Sequence, residues 1–359
     1  MSDAEPRSGV ETVSVDGLAT YLRCPRQYAF AHEDGLEAGD DDTGTERRVA
    51  LLRTAICDAL RRDVEGRDAL VEVATRRLET LWDDSDQRFH SHAQRRHERR
   101  VLEATLEAYV DRVGLEHARG IERLEDDADE GELIGPGLPV SSTVALPERG
   151  DEPANGGDGS VGPVPEAVTI DAAVDYVYAD GSSVTGVRFV PTLAPLGLLR
   201  YRSEWKGDVA GAFTDHFDPD ADVFEPTLVG TLFETAVVVD GLRDRCKRLG
   251  LSDRTCRYVR IPLAEHSNTA VNWVRGTVET TLETVDLTDV YVDHHSYGMT
   301  HEHRNRTVDD RLAAVVAGLV AGGDDPTDRW EVISRECCPD CEYAVCCGEY
   351  IAAEVRFDG

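Results

Sequence analysis

Apolar residues recur at helical spacing through the first third of the chain. Val49, Leu52 and Ile56 lie three or four positions apart and predict a helix over residues 46–62. Asp16 is placed to cap an earlier, shorter helix, because its carboxylate can accept hydrogen bonds from free backbone N–H groups. The helices predicted in this region cover residues 16–23, 46–62, 68–82 and 87–123. We therefore expect residues 14–124 to form a helical region.

The middle of the chain carries β-branched and aromatic runs separated by turn residues. Residues 168–178 and 182–191 flank Ala179-Asp180-Gly181, and an Asp-Gly pair between two such runs is typical of a β-hairpin. The other predicted elements are strands over 138–146, 256–263 and 290–292, helices over 200–217, 225–249 and 307–320, and a segment of either type over 272–284. This order predicts an α/β fold in which a small mixed sheet is flanked by helices.

Two stretches are predicted to stay outside the folded core. Residues 1–13 are an acidic tail, and residues 147–165 are rich in Gly, Pro, Asp and Glu. We expect a disordered tail followed by a single domain over residues 14–359, with a disordered insertion inside it. The α/β core of that domain is expected over residues 168–320.

The charge balance limits what can be inferred about partners. The chain has 70 acidic and 38 basic residues and a formal net charge of −32, and Lys206 and Lys247 are its two lysines. This composition is typical of cytoplasmic proteins from salt-loving organisms, where a screening length of about 3 Å limits self-repulsion. In such salt the general attraction between protein and nucleic acid is weak, so DNA contact must depend on local geometry. No apolar run is long enough to predict a membrane span, and the N-terminus does not predict a secretory signal.

A cysteine cluster at residues 337–347 is the most specific chemical feature of the sequence. It holds five of the nine cysteines within eleven residues. Cys338, Cys341 and Cys347 have the spacing C-x2-C-x5-C, which suits thiolate ligands of a metal. A tetrahedral thiolate site needs a fourth ligand, and Cys24 is the best candidate. The two ends of the chain would then have to meet, and the metal would clip the domain closed.

The segment from Ser14 to Tyr28, which contains Leu22-Arg23-Cys24-Pro25-Arg26, resembles the opening of RecB-like nucleases of the PD-(D/E)XK superfamily. With the C-terminal cysteines, the chain resembles the iron–sulfur branch that includes the CRISPR-adaptation exonuclease and the AddAB-type helicase–nucleases. The resemblance implies a [4Fe-4S] cluster on four cysteines. The implied ligands are Cys24, Cys338, Cys341 and Cys347. Structural zinc is the alternative, and Cys337 or Cys346 could replace an adjacent ligand.

The resemblance also implies a nuclease active site. In the family an Asp, an E-x-K motif and a helical His hold Mg²⁺ or Mn²⁺ and activate water. Asp175 matches the metal-binding Asp, but Gly186 and Arg188 stand at the E-x-K positions. Cys57 stands where the helical His is expected. A single carboxylate is a poor Mg²⁺ site, so we expect nuclease activity to be impaired or lost.

Two further segments bear on activity. The family's Gln-x3-Tyr motif would fall at Val229 and Phe233, again without the polar groups. Glu204-Trp205-Lys206 is a literal E-x-K, and Glu204 and Lys206 could be catalytic with Asp175 if this segment formed the catalytic strand. Short patterns of this kind also arise by chance on protein surfaces.

Three functions therefore stay open on the sequence. The leading hypothesis is a DNA-binding protein of repair, recombination or CRISPR-type processing that works beside a helicase or an active nuclease. The second is an active DNA exonuclease that uses Mg²⁺ or Mn²⁺. The third is a structural metal protein that has no role on DNA.

Overall fold

In the part of the chain that the structure, a computed structural model, describes, a mostly helical first third is followed by a region of mixed strands and helices. The described residues are 12–36, 44–85, 89–127, 131–147, 165–193, 200–201, 204–205, 208–264, 269–272, 275, 277–293, 304–323, 326 and 329–354. The strands are β1 (Thr12–Ser14), β2 (Ile134–Ala145), β3 (Ala167–Asp180), β4 (Ser183–Val190), β5 (Arg200–Tyr201), β6 (Glu204–Trp205), β7 (Thr255–Pro262), β8 (Thr269–Asn272), β9 (Thr277–Thr280) and β10 (Val285–Asp286). The helices are α1 (Val15–Arg23), α2 (Pro25–Tyr28), α3 (Gly44–Leu60), α4 (Arg67–Asp83), α5 (His92–Tyr109), α6 (Leu115–Asp127), α7 (Val209–Asp215), α8 (Pro226–Arg248), α9 (Leu287–Asp293), α10 (Arg306–Val320), α11 (Trp330–Glu336) and α12 (Gly348–Glu354).

A six-stranded mixed sheet forms the centre of the fold and confirms the predicted fold class. β3 and β4 form the predicted hairpin. β2 lies antiparallel along one edge of β3, while β1 runs parallel to the beginning of β3 on the edge that β4 also uses. β4 runs parallel to β7, and α8 supplies the crossover that a parallel pair requires. β10 extends the sheet beyond β7.

Helices cover both faces of this sheet. The ring of Phe189 in β4 contacts that of Tyr109 in α5, with centroids 5.6 Å apart. A side chain at Gly186, by contrast, would meet Leu242 of α8. Residues an odd number of positions apart on a strand point to opposite faces. One face of the sheet therefore packs on α8, and the other packs on the layer that contains α3, α5 and α6.

The long helix predicted over residues 87–123 is interrupted. α5 ends at Tyr109, and a π-helical turn, Val110–Gly114, joins it to α6. In an uninterrupted α-helix, Tyr109 and His117 would point about 80° apart. The wider turn brings both side chains to Tyr176, whose hydroxyl lies 3.0 Å from the Tyr109 hydroxyl and 2.6 Å from His117 Nδ1. Burial lowers the pKa of His117 to about 3, so its ring is neutral.

The helix predicted over residues 200–217 was wrong in its first part. The structure has the short strands β5 and β6 there, and α7 begins only at Val209. Asp208 fixes this start, because its side chain accepts a hydrogen bond from the Gly211 N–H at 2.7 Å while its own backbone is not helical.

The strand predicted over residues 290–292 was also wrong, because these residues belong to α9. Tyr291 is buried, and its hydroxyl accepts a hydrogen bond from the backbone N–H of Asn305 at 2.6 Å. Strand propensity is a weak preference that such tertiary contacts override. The open segment 272–284 contains β9 and the end of β8, so the strand interpretation was the correct one there.

The N-terminal boundary lies earlier than predicted. Thr12 and Val13, assigned to the disordered tail, belong to β1, because buried Val13 pairs with Ile170. Ser14, not Asp16, caps α1 by accepting a hydrogen bond from the Gly17 N–H at 3.0 Å. The rest of the predicted tail, and the predicted insertion apart from its two end residues, lie outside the described residues.

The two ends of the described chain meet, as the cysteine pattern predicted. The Tyr21 hydroxyl donates to the Gly323 carbonyl at 2.8 Å, and Arg26 pairs with Glu349 at 2.7 Å. Cys24 packs with α11 and the residues after it in a small apolar cluster separate from the main core. Within the described residues, no helix combines the length and apolar character that crossing a bilayer requires.

Candidate functional site

Asp175 lies at an irregular point of the central sheet. Pairing of β3 with β4 begins one residue after it, and the register between β2 and β3 shifts between Ile134 and Leu138. Gly135 allows this shift, because a Cβ atom there would lie only 2.9 Å from the Asp175 carbonyl oxygen. The Asp175 side chain can therefore bond to backbone groups of both neighbouring strands.

The protein itself engages both oxygens of the Asp175 carboxylate. Oδ2 accepts a hydrogen bond from the Phe189 N–H at 2.6 Å, and Oδ1 accepts one from the Gly137 N–H at 3.4 Å. Arg53 Nε lies 3.0 Å from Oδ1, and the Asp175 side chain is 2% exposed. Burial raises the pKa of Asp175, while Arg53, the two amides and Arg188 oppose that rise.

Helix α3 brings Arg53 and Cys57 to the same place. They are four positions apart and so share one helix face. Arg53 Nη2 donates to the Phe189 carbonyl at 2.9 Å, and Cys57 Sγ lies 3.6 Å from the Asp175 carbonyl oxygen. Burial raises the pKa of the Cys57 thiol far above its usual range, so the thiol is protonated. Cys57 thus contacts the backbone of Asp175, and the same helix face carries Arg53, a guanidinium that the sequence interpretation missed.

Arg188 makes its contacts mainly with α8 rather than with α3. Its Nη1 lies 2.7 Å from Glu234 Oε1, and its Nη2 lies 3.4 Å from the exposed carboxylate of Asp16. Glu234 is buried and also binds Arg260 and the Tyr258 hydroxyl. Burial alone would raise the pKa of Glu234, but Arg260 and Arg188 outweigh it and hold the pKa below its usual value.

Gly186 stands in an apolar environment. A Cβ atom there would lie 3.0 Å from Leu242 Cδ1 and 3.2 Å from Val174 Cγ1. A carboxylate at this position would therefore be pushed against hydrocarbon rather than into a ligand shell. The predicted site residues all lie near Asp175, namely Asp175, Cys57, Gly186 and Arg188. The side chains of Asp175, Cys57 and Arg188 nevertheless bond to different groups.

Glu234 is a residue that the sequence interpretation overlooked. Val229 and Phe233, proposed there as the Gln-x3-Tyr positions, are buried, and Phe233 packs on the ring of Phe213. The available signal was a single carboxylate in the apolar run Leu232-Phe233-Glu234-Thr235-Ala236. A buried charge is costly unless it is paired, so this position called for cationic partners elsewhere in the fold.

The carboxylates of this region are matched by guanidinium groups. Arg53 neutralises Asp175, and Arg188 and Arg260 neutralise Glu234. Within the described ranges, no three His, Cys, Asp or Glu side chains stand together as a group able to hold a metal ion. The alternative pair is less informative: the backbone of Glu204 lies in β6, and Lys206 lies outside the described residues.

The four predicted cysteine ligands lie in the region where the two ends of the described chain meet. Cys24, Cys338 and Cys347 are buried, and Cys341 is partly exposed. Burial, together with the neighbouring thiols of Cys24, Cys341, Cys347 and Cys337, raises the pKa of Cys338 to about 11. The donor set fits a thiolate-bound group, although the sulfur atoms are not gathered into a ligand arrangement.

The two remaining cysteines of the cluster bond to backbone carbonyl groups. Cys337 Sγ lies 3.5 Å from the Arg23 carbonyl oxygen, and the exposed Cys346 donates to the Tyr343 carbonyl at 3.3 Å. Both thiols thus have hydrogen-bond partners outside the predicted ligand set.

Comparison with known families gives one match. The family model described as the PD-(D/E)XK nuclease superfamily matches residues 12–185. This range includes Cys24, Cys57 and Asp175, and it ends one residue before Gly186. The comparison with curated proteins finds no match.

Proposed function

Residues 12–185 match the PD-(D/E)XK nuclease superfamily, and from this premise we propose that the protein binds DNA without cleaving it. The observation that carries the proposal is the Asp175 carboxylate, which two backbone N–H groups and Arg53 already occupy. Metal-dependent hydrolysis needs carboxylate oxygens that are free to hold a divalent cation. A cation at Asp175 would have to displace the Arg53 guanidinium.

The second half of the site supports the same proposal. Arg188, at the position of the family's lysine, is bound to Glu234 and keeps its proton at any accessible pH. Gly186 supplies no ligand and is packed against Leu242. Two ion pairs, Arg53 with Asp175 and Arg188 with Glu234, therefore stand where an active nuclease would have its metal-binding carboxylates and its lysine.

The experiment that tests this proposal is a cleavage assay with labelled single- and double-stranded DNA in Mg²⁺ and in Mn²⁺. The natural protein should leave both substrates intact while shifting their mobility in a binding assay. Asp175→Asn is the control for trace activity. Metal-dependent cleavage that disappears in this variant would overturn the proposal, and cleavage that needs Glu204 and Lys206 would establish the alternative E-x-K.

We further propose that Cys24, Cys338, Cys341 and Cys347 hold a [4Fe-4S] cluster, as in the RecB-like branch. A bound cluster would supply four metal–thiolate links between the chain ends. Mutual proximity of these thiols and their origin at both ends of the chain support this assignment. On this proposal the protein acts in the cytoplasm of a salt-loving organism, in DNA repair, recombination or CRISPR-type processing, beside a helicase or an active nuclease.

A further inference from the structure

A groove of about 860 Å³ lies between the end of α3 and the outer face of α4. Its charged lining residues are Asp58, Arg61, Arg62, Asp63, Arg76 and Arg77. Four guanidinium groups thus face two carboxylates, in a chain whose formal net charge is −32. A local excess of positive charge on so acidic a protein marks a place that an anion can approach.

Asp58 holds two of these guanidinium groups side by side. Arg61 Nη1 donates to one of its oxygens at 2.7 Å, and Arg77 Nε donates to the other at 2.7 Å. The side chains of Arg61 and Arg77 are 40% and 41% exposed, and Arg61 also donates through Nη2 to the Ile134 and Gly135 carbonyls. One carboxylate therefore orients two cations and leaves the pair with a net positive charge.

Several N–H donors of the groove have no acceptor among the residues that the structure describes. Arginine carries five N–H donors, of which Arg77 directs one to Asp58. Arg62 is exposed and makes no side-chain hydrogen bond or ion pair to another described residue. Arg76 pairs with Glu72 at the rim, where both side chains are about two-thirds exposed. The groove thus presents preoriented donors that suit an oxyanion.

We propose that this groove binds phosphate groups of a polyanion. The planar guanidinium fork matches phosphate oxygens, and Arg77, which Asp58 orients, and the exposed Arg62 can engage neighbouring phosphates. The groove also adjoins the candidate site, because Arg61 Nη2 donates to the Ile134 carbonyl at 3.1 Å, at the register shift that faces Asp175. If the proposed DNA-binding function holds, the polyanion is the DNA backbone; this identification rests on that function, but phosphate binding does not.

The test compares two double variants with the natural protein. Arg62→Gln with Arg77→Gln removes the donors of the groove and spares Arg61, which supports β2. Arg248→Gln with Arg306→Gln is the matched control, because it removes two exposed guanidinium groups that do not line the groove. Each protein is titrated with a fluorescent single-stranded oligonucleotide across a salt series, and separately with pyrophosphate followed by calorimetry.

The groove variant should bind the oligonucleotide on the order of tenfold more weakly than the control variant. The slope of log affinity against log salt should fall by about 1.4, which corresponds to two lost phosphate contacts on a single strand. Thermal melts establish that both variants fold, and Arg62→Gln alone replaces the double variant if that one is unstable.

The outcomes separate the groove from the proposed function. Equal oligonucleotide binding by the groove and control variants would overturn the groove proposal and leave DNA binding intact. If the natural protein binds no oligonucleotide, the proposed function fails, and the pyrophosphate titration then decides the groove. If the natural protein binds pyrophosphate and the groove variant does not, the groove is a site for a smaller phosphate ligand. If the natural protein does not bind pyrophosphate either, the groove proposal is overturned as well.

Discussion

At the scale of single residues, the candidate site is a set of charges that satisfy one another. Each buried carboxylate has a guanidinium partner on a different element: Arg53 of α3 for Asp175, and Arg188 of β4 for Glu234. A buried ion pair contributes little net stability compared with apolar packing, but breaking it leaves an isolated buried charge. These pairs are therefore positions at which a substitution should strongly affect stability.

Glu234→Gln should reveal this sensitivity through pH. Because the pKa of Glu234 is held below its usual value near 4.5, its contribution to stability is present above that pH and is lost as the pH falls through the folded-state pKa. At neutral pH the variant leaves Arg188 and Arg260 without their anion and should lose about 3–5 kcal/mol in the free energy of unfolding. The loss should shrink as the solution is acidified below pH 4.5, in a series of denaturant titrations.

The matched control for that series is Asp16→Asn, which removes the other carboxylate near Arg188. Asp16 is 79% exposed and lies 3.4 Å from the guanidinium, so its loss should cost less than about 1 kcal/mol. A Glu234→Gln variant that is no less stable than Asp16→Asn at neutral pH would contradict the buried-pair interpretation.

Gly186 gives a second prediction at this scale. Gly186→Glu alone should not create a metal site, because its Cβ would lie 3.0 Å from Leu242 Cδ1. Overpacking of this kind should destabilise the protein by about 1–3 kcal/mol, measured by denaturant unfolding, with no cleavage gained. Gly186→Ala in a Leu242→Val background should recover part of that stability. Nuclease activity in Gly186→Glu would show that the site has more room than the structure gives it.

At the scale of elements, the helices and strands with regular apolar spacing were predictable, whereas the irregular turns that depend on tertiary contacts were not. The helices over 46–62 and 225–249 and the hairpin at Asp180 follow from spacing and turn chemistry, and each lies within two or three residues of its predicted bounds. The π-helical turn at Val110–Gly114 is different, because it accompanies a tertiary contact in which Tyr109 and His117 both hydrogen-bond to Tyr176 on the sheet. The local sequence does not indicate this contact.

The same distinction applies to the candidate site. The family resemblance predicts Asp175, Cys57 and Arg188 as site positions, because each lies at a motif position on a predicted strand or helix. The role of Arg53 could not be predicted, because it is an ordinary polar residue of α3 until the sheet brings Asp175 to it. The apolar run around Glu234 indicates a buried carboxylate that needs a cation, but it does not indicate that Arg188 of β4 supplies one.

The packing of α8 on the sheet gives a prediction at this scale, through two glycines in one helix. A Cβ at Gly241 would lie 2.8 Å from the Ser141 carbonyl oxygen of β2, whereas one at Gly230 would meet Ala19 of α1 at an ordinary 3.6 Å. Gly241→Ala should therefore destabilise the protein by about 1–3 kcal/mol, because backbone must move. Gly230→Ala should stabilise it by up to about 1 kcal/mol through helix propensity. Thermal and denaturant unfolding of both variants would check this, and equal effects would show that α8 does not approach β2 so closely.

At the scale of the whole molecule, the two ends of the described chain pack against each other. β1 and α1 begin the fold, and α11, the cysteine cluster and α12 return to them through contacts such as Tyr21 to Gly323 and Arg26 to Glu349. These polar contacts are partly exposed and individually weak. A metal bound by thiolates from both ends would hold them together more strongly, and the four thiols lie where such a link would act.

Removing one ligand of the proposed cluster should therefore affect the entire fold. A link between Cys24 and Cys338 closes a loop of about three hundred residues, and chain entropy assigns such a closure about 5 kcal/mol of stabilisation. Cys24→Ser and Cys341→Ser should each abolish the visible absorption of an iron–sulfur cluster in anaerobically purified protein and lower the melting temperature sharply. Cys346→Ser is the matched control, since its thiol is exposed and bonded to the Tyr343 carbonyl, and it should keep both properties. Colourless protein with stoichiometric zinc would identify the bound metal as zinc rather than iron. An unchanged melting temperature in Cys24→Ser would mean that the polar contacts and the small apolar cluster around Cys24 hold the ends without a metal.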